Sequence, residues 1–235
     1  MRTLLWFIYF WVYLLLCIPG SLYVKHLEKK GDMERLERVT AHIVRNWASR
    51  LLKAAGVRVT VEGAENLPKD PFVLVANHQG YFDIPIMLAC VGKPRGLVAK
   101  IELSRLPFIR TWMKHLHCLF VDRSSLKAGA QTIADGAKMV SEGNSLTIFP
   151  EGTRSKGGPI GEFKAGAFRI ASKAGAPVVP VTIDGSYRVM EGNGMWIRPA
   201  SVKVTVHCPI ETRNMSREEL RGLPERVQQI VQEAL

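Results

Sequence analysis

Several common signatures are missing from this chain. Its 235 residues include only four cysteines, at 17, 90, 118 and 208, which form no C-x-x-C pair and no zinc-ligand cluster. Such scattered thiols act as small apolar side chains and suit a reducing, cytoplasmic setting. There is no G-K-[ST] tripeptide and hence no Walker phosphate loop, and no G-x-S-x-G elbow of the kind covalent serine hydrolases use. His115 and His117 flank Leu116 without a carboxylate-rich context, so a metal centre is not expected there and the two are read as structural. No repeat or low-complexity tract occurs. Acidic residues are also scarce: 21 Asp and Glu face 32 Lys and Arg, for a formal charge of +11 and a pI near 9.7. That surplus points to an acidic partner, whether nucleic acid, anionic lipid, an acidic carrier protein or a phosphorylated substrate, or else to a plain solvated basic surface. Nucleic acid would explain the charge, but no recognition module is present and the apolar N-terminus goes unexplained.

That N-terminus differs from the rest. Leu4 to Ile18 is an uncharged run, rich in aromatics, followed by Pro19 and Gly20. A signal peptide would show a small-x-small cleavage pattern, which is lacking. A core helix with no polar face would need a large protein around it. Membrane insertion is the better reading. As a helix, the fifteen residues reach about 22 Å. A hydrocarbon core of ~30 Å needs about twenty, so the expectation is an anchor in one leaflet. From Met33 to about Leu52 the apolar residues Met33, Leu36, Val39, Ile43, Trp47 and Leu51 recur every three or four positions amid a basic surround that includes Arg35, Arg38, Arg45, Arg50 and Lys53. This pattern predicts an amphipathic helix that lies on anionic lipid or packs on the domain. Residues 1–54 are thus read as a two-helix membrane-anchoring element and residues 55–235 as the main domain.

Past Gly56 the pattern becomes α/β. Strands are predicted over 57–63, 72–77, 96–100, 118–122, 145–152 and 178–185, with more strand in 196–210; helices are predicted over 84–90, 127–142, 165–175 and 216–235. Strands alternating with helices imply a mostly parallel central sheet covered by helices on its faces.

Two polar segments leave apolar strands. The first is NHQGYFD, residues 77–83, in which His78 and Asp83 are five apart. On a regular helix they would lie ~140° apart, so they meet only if the chain turns between them, and Gly80 is read as easing that turn. A His held by a carboxylate at the carboxyl end of a strand can serve as a general base. Asp83 before Pro85 would equally suit a helix cap. The second segment is FPEGTRS, residues 149–155, which holds Glu151, Gly152, Thr153 and Arg154. Arg154, Arg123 at the end of FVDR and Lys100 at the end of GLVAK are candidate cations for a phosphate. All three follow apolar strands, as His78 does, so the strand ends could gather them in one pocket.

NHQGYFD, KIELSRLPFIRTW (100–112) with FVDR, FPEGTRS and VVPVTI (178–183) stand in the order and approximate spacing of the four blocks of the glycerolipid acyltransferase family. The chain resembles most the bacterial 1-acylglycerol-3-phosphate acyltransferases of the PlsC type, over roughly residues 55 to 190. HxxxxD alone is weak; with FPEGTRS some seventy residues later it is specific. The resemblance implies His78 as the base and Asp83 as its partner. It implies Arg123 and Arg154 as phosphate contacts, with Glu151, Gly152 and Thr153 in the substrate-binding block. It also implies transfer of an acyl group from acyl-ACP or acyl-CoA to the free hydroxyl of lysophosphatidate, without a cofactor or metal. The expected location is the cell membrane, in peripheral or monotopic attachment with the catalytic domain on the cytoplasmic side. An acceptor such as glycerol 3-phosphate or another lysophospholipid is the alternative; a silent lipid-binding protein is a more distant one.

Overall fold

The computed structural model describes residues 1–69, 71–106, 108–122 and 125–235; the side chain of Leu126 is not described. The chain folds as α1 (Arg2–Leu16), α2 (Ile18–Lys30), α3 (Met33–Ala55), β1 (Arg58–Glu62), β2 (Val73–Ala76), α4 (Asp83–Cys90), β3 (Gly96–Lys100), α5 (Ile109–His115), β4 (Leu119–Val121), α6 (Leu126–Ser141), β5 (Leu146–Ile148), α7 (Gly166–Ala174), β6 (Val178–Asp184), β7 (Ser201–Val206) and α8 (Arg217–Glu233).

The seven strands form one sheet in the order β1-β7-β6-β2-β5-β3-β4. Every pairing is parallel except β6 with β7, as in the register Thr182↔Thr205. The mostly parallel sheet expected from the sequence is therefore present, with one antiparallel joint near its edge. β2 shows why it is buried on both faces. Leu74 and Ala76 join Val181, Ile183, Ile86 and Leu52 on one side, while Val73 and Val75 join Ile148, Phe168, Val227 and Val231 on the other. Successive strand residues point to opposite faces, so a run with no polar side is what a sheet layered between helices requires.

The N-terminal segment departs from expectation in number of helices: residues 1–55 form three, not two. Pro19 does not stop a helix but sits in the first turn of α2, where its missing N–H costs nothing. Only a turn at Cys17, itself near helical in conformation, separates α1 from α2. The helical stretch Arg2–Lys30 is consequently long and apolar enough to cross a membrane by length and composition, and most of its apolar window is exposed. Its inner face nevertheless docks on the domain. Trp6 Nε1 donates to the Leu51 carbonyl at 3.0 Å, its ring packs 5.3 Å from that of Phe82, and Ile197 N donates to Thr3 Oγ1 at 2.9 Å. Val24 and Leu27 of α2 bury against the α3 residues Leu36 and Val44. Lys114 in α5 reaches back to Glu28 at 2.8 Å. His115 beside it is buried.

Candidate active site

The carboxyl ends of β2, β3, β4, β5 and β6 share one edge of the sheet, and the polar segments collect there. His78 follows β2, and the chain then turns so that its Nδ1 lies 2.6 Å from Asp83 Oδ2. An ionised carboxylate only accepts, so Nδ1 carries the proton and Nε2 is left as the basic nitrogen. Asp83 is fully buried. Oδ2 also accepts from Gln79 N at 2.7 Å and Gly80 N at 2.9 Å, and Oδ1 accepts from the Ser186 hydroxyl. Its carboxylate therefore binds the turn before α4 together instead of capping α4, whose N-cap is Phe82. Held by four donors, three on Oδ2 and one on Oδ1, this carboxylate has little freedom to rotate away from the imidazole.

Gly80 is needed for space and not to ease the turn. Its backbone lies outside the left-handed region, but a Cβ there would stand 2.5 Å from Glu191 Oε2 and 2.9 Å from Glu191 Cδ. Space, not conformation, selects glycine. At Gly152 the conformation itself calls for glycine, since φ is +70° where FPEGT leaves β5.

Glu151 Oε1 accepts from His78 N at 2.6 Å and Oε2 accepts from Gly161 N at 2.8 Å. Burial pushes its carboxyl up, and these two backbone hydrogen bonds pull against that. The position that the resemblance placed in the substrate block thus holds the backbone of His78. The two polar segments are bound to each other as well, through Ser155 N to the His78 carbonyl at 2.7 Å and Lys156 N to the Gln79 carbonyl at 3.1 Å. The imidazole stacks on Phe149, centroids 4.3 Å apart and planes at 21°.

A cavity of about 780 Å³ opens beside His78. Its polar end includes His78, Tyr81, Lys100, Gly152, Thr153 and Arg154; its apolar walls come from α1, α3, α5 and β3, for example Leu14, Ile43, Trp47, Leu97 and Trp112. Arg154 lies 3.6 Å above the Tyr81 ring and 3.0 Å from Glu191 Oε1. Lys100 ends β3 and is exposed. Arg123, the other expected phosphate contact, lies outside the described residues. Cys17 and Cys118 also line this cavity. Burial pushes the Cys118 thiol up to about 11 and raises that of Cys17 too, so near neutral pH neither offers a thiolate nucleophile. A second hollow, of about 660 Å³, lies at the opposite end of the strands around Pro71, Pro177 and Arg213 and has no histidine in its lining.

Residues 58–184, more than half of the chain, match the model of the Acyltransferase family. The chain belongs to this acyltransferase family. It is 33% identical over 170 residues to the 1-acyl-sn-glycerol-3-phosphate acyltransferase of Borreliella burgdorferi, covering 72% of this chain and 68% of the relative. It is 39% identical over 152 residues to the probable 1-acyl-sn-glycerol-3-phosphate acyltransferase of Mycoplasma pneumoniae, covering 61% of this chain and 55% of the relative. The chain thus spans between about half and two thirds of the length of these curated relatives. The crystal structure of the 1-acyl-sn-glycerophosphate (LPA) acyltransferase PlsC from Thermotoga maritima superposes with a TM-score of 0.79 at 27% identity, covering 100% of this chain and 96% of that one.

The sequence reading missed the residues that hold this acyltransferase site in shape. Ser186 had a faint signal, a hydroxyl just past the carboxyl end of a buried strand. Gln79, whose Oε1 accepts from Gly185 N at 2.9 Å and Ser186 N at 3.1 Å, lay inside a motif already singled out. Glu191 had no local signal.

Proposed function

We propose that this protein transfers an acyl group from a thioester to the free sn-2 hydroxyl of lysophosphatidate, forming phosphatidate. The observation that carries the reading is a carboxylate-held imidazole that lines a mainly apolar cavity together with an arginine. His78 Nε2 takes the proton of the acceptor hydroxyl while its oxygen attacks the thioester carbonyl. The tetrahedral intermediate then collapses with cleavage of the C–S bond, and the leaving thiolate recovers the proton from His78. Asp83 stabilises the imidazolium that forms between these steps. The apolar walls suit an acyl chain, and the volume lies within the usual ~300–1,000 Å³ of ligand pockets. The thioester is the activated group, and the reaction as written calls on no resident cofactor or metal. Purified protein given lysophosphatidate with acyl-ACP and acyl-CoA in separate assays should form phosphatidate with at least one donor. No phosphatidate with either donor would refute the reading.

Arg154 and Arg123 are the proposed phosphate contacts, with Lys100 at the rim. Each charge-assisted hydrogen bond contributes ~1.5–3 kcal/mol. Arg154→Ala and Arg123→Ala should each weaken the preference for lysophosphatidate over a phosphate-free monoacylglycerol by about tenfold or more. Unchanged discrimination in both variants would move the phosphate to Lys100.

Attachment to one leaflet at the cytoplasmic face completes the proposal. The supporting feature is that α1 docks on the domain near both its ends, through Thr3 with Ile197 and through Leu14 at the cavity. The outer face of α1 and α2 meanwhile exposes Leu4, Leu5, Phe7, Ile8, Trp11, Val12, Leu15, Leu16 and Leu22. A crossing helix would have to abandon those docking contacts. Each such side chain is worth up to about 1.5–3 kcal/mol when fully removed from water, against about 1 kcal/mol per basic residue near an anionic surface. The apolar contribution dominates, so high salt should leave the protein on membranes and detergent should release it. In a cysteine-free Arg2→Cys variant in sealed inside-out vesicles, an impermeant thiol reagent should label the cysteine from the outside. Labelling only after the vesicles are opened would show that the helix crosses.

A further inference from the structure

Glu191 lies beyond the four motif blocks, yet its side chain is only 1% exposed and sits between the two halves of the site. Oε1 accepts two hydrogen bonds, from Tyr81 N at 2.7 Å and from Arg154 Nη1 at 3.0 Å. Oε2, buried against Gly80, has no hydrogen-bond partner among the described residues. A half-satisfied buried carboxylate is costly to keep, and here it comes with a glycine where any side chain would collide with it. This local cost buries an anion beside the one cavity-lining arginine of the FPEGTRS segment.

We propose that Glu191 is a positioning residue for the acceptor, fixing the Arg154 guanidinium in the orientation that receives the phosphate. An unheld arginine samples many rotamers, and each must be frozen when the ligand binds. In this protein the guanidinium is clamped from two sides, by the Tyr81 ring 3.6 Å away and by the Glu191 carboxylate. Glu191 engages Nη1, and the other N–H donors of the fork remain for a phosphate. Ser186, which binds Asp83, and Glu191, which binds Arg154, lie on one short segment after β6. That segment ties the partner of the base and the partner of the cation to one stretch of backbone.

The inference rests on Arg154 as a phosphate contact, and its test separates the two. KM and kcat for lysophosphatidate are measured for Glu191→Ala, Glu191→Gln, Arg154→Ala and the Glu191→Ala/Arg154→Ala double variant, with thermal midpoints as a check on folding. Glu191→Ala should raise KM about tenfold and change kcat less than about threefold. Glu191→Gln, which keeps an acceptor of the same shape, should recover most of the affinity. On the Arg154→Ala background, removing Glu191 should add almost nothing, because it acts through that arginine. A normal KM in Glu191→Ala beside a raised one in Arg154→Ala would overturn the role of Glu191 and leave the phosphate contact standing. Normal KM values in both would overturn both. Additive losses in the double variant, or a fall in kcat with KM unchanged, would assign Glu191 to the integrity of the turn alone. Should Glu191→Ala fold poorly, Glu191→Asp, one methylene shorter and so drawn back from Arg154 Nη1, takes its place: a normal KM there beside a raised one in Arg154→Ala would overturn the inference.

Discussion

His78→Ala lowers kcat by at least the ~10²-fold that loss of a general base brings, with the fold retained. The side chain packs chiefly on Phe149 and is part exposed to the cavity, so truncating it leaves no deep core void. The residue's backbone also stays tied, through its N–H to Glu151 and its carbonyl to Ser155. KM for lysophosphatidate should move little, since Arg154 and the cavity remain. Steady-state kinetics on a folded variant checks this, and near-normal turnover would refute the assignment of His78 as the base.

Asp83→Asn should cost nearly as much, by a different route. The new amide has one oxygen for a site whose present occupant takes four donors: His78 Nδ1, Gln79 N, Gly80 N and Ser186 Oγ. Turned one way, its NH2 would face three N–H donors; turned the other, its oxygen keeps those three and its NH2 meets the Ser186 hydroxyl, which can accept and donate onward to Gln79 Oε1. In either orientation the imidazole loses the nearby negative charge that steadies its protonated form. A fall in kcat of between about 10² and 10⁴ is expected, together with a lower thermal midpoint, since hydrogen bonds to a neutral amide are weaker than those to a carboxylate. Ser186→Ala, removing one donor of the four, should lie between this variant and the unmodified protein. If Asp83→Asn keeps its turnover, the carboxylate serves the fold only.

Much of this architecture was legible in the residues. GLVAK predicted β3 to the residue because its apolar run Leu97–Ala99 follows Pro94-Arg95-Gly96 and ends at Lys100. The end of α7 followed from Gly175, which adopts φ +63° at the helix C-cap. Pro19 misled, since proline reads as a stop unless the residues on both sides are known to be helical. The pairing of His78 with Asp83 was readable from five-residue spacing and position after a strand. Its supports were not, because Ser186 and Glu191 come from 103 and 110 residues farther along than Asp83 and Tyr81, respectively. Contacts made by tertiary folding leave no periodicity in a single chain. The need for glycine at position 80 could likewise be felt but not explained, because its cause is a distant carboxylate.

The hydrogen bond between Thr3 and Ile197 joins residues 194 apart, and that separation bears on how the protein is made. During synthesis α1 leaves the ribosome long before Phe82, and longer still before Ile197, so its inner face has no partner for most of elongation. An apolar helix waiting in water invites aggregation, whereas a bilayer shelters both of its faces. A nascent chain that met lipid before it had a sheet would complete its catalytic domain against a helix already held at the membrane. Cell-free translation should give active enzyme when vesicles are present from the start and a poorer yield when they are added after the chain is complete.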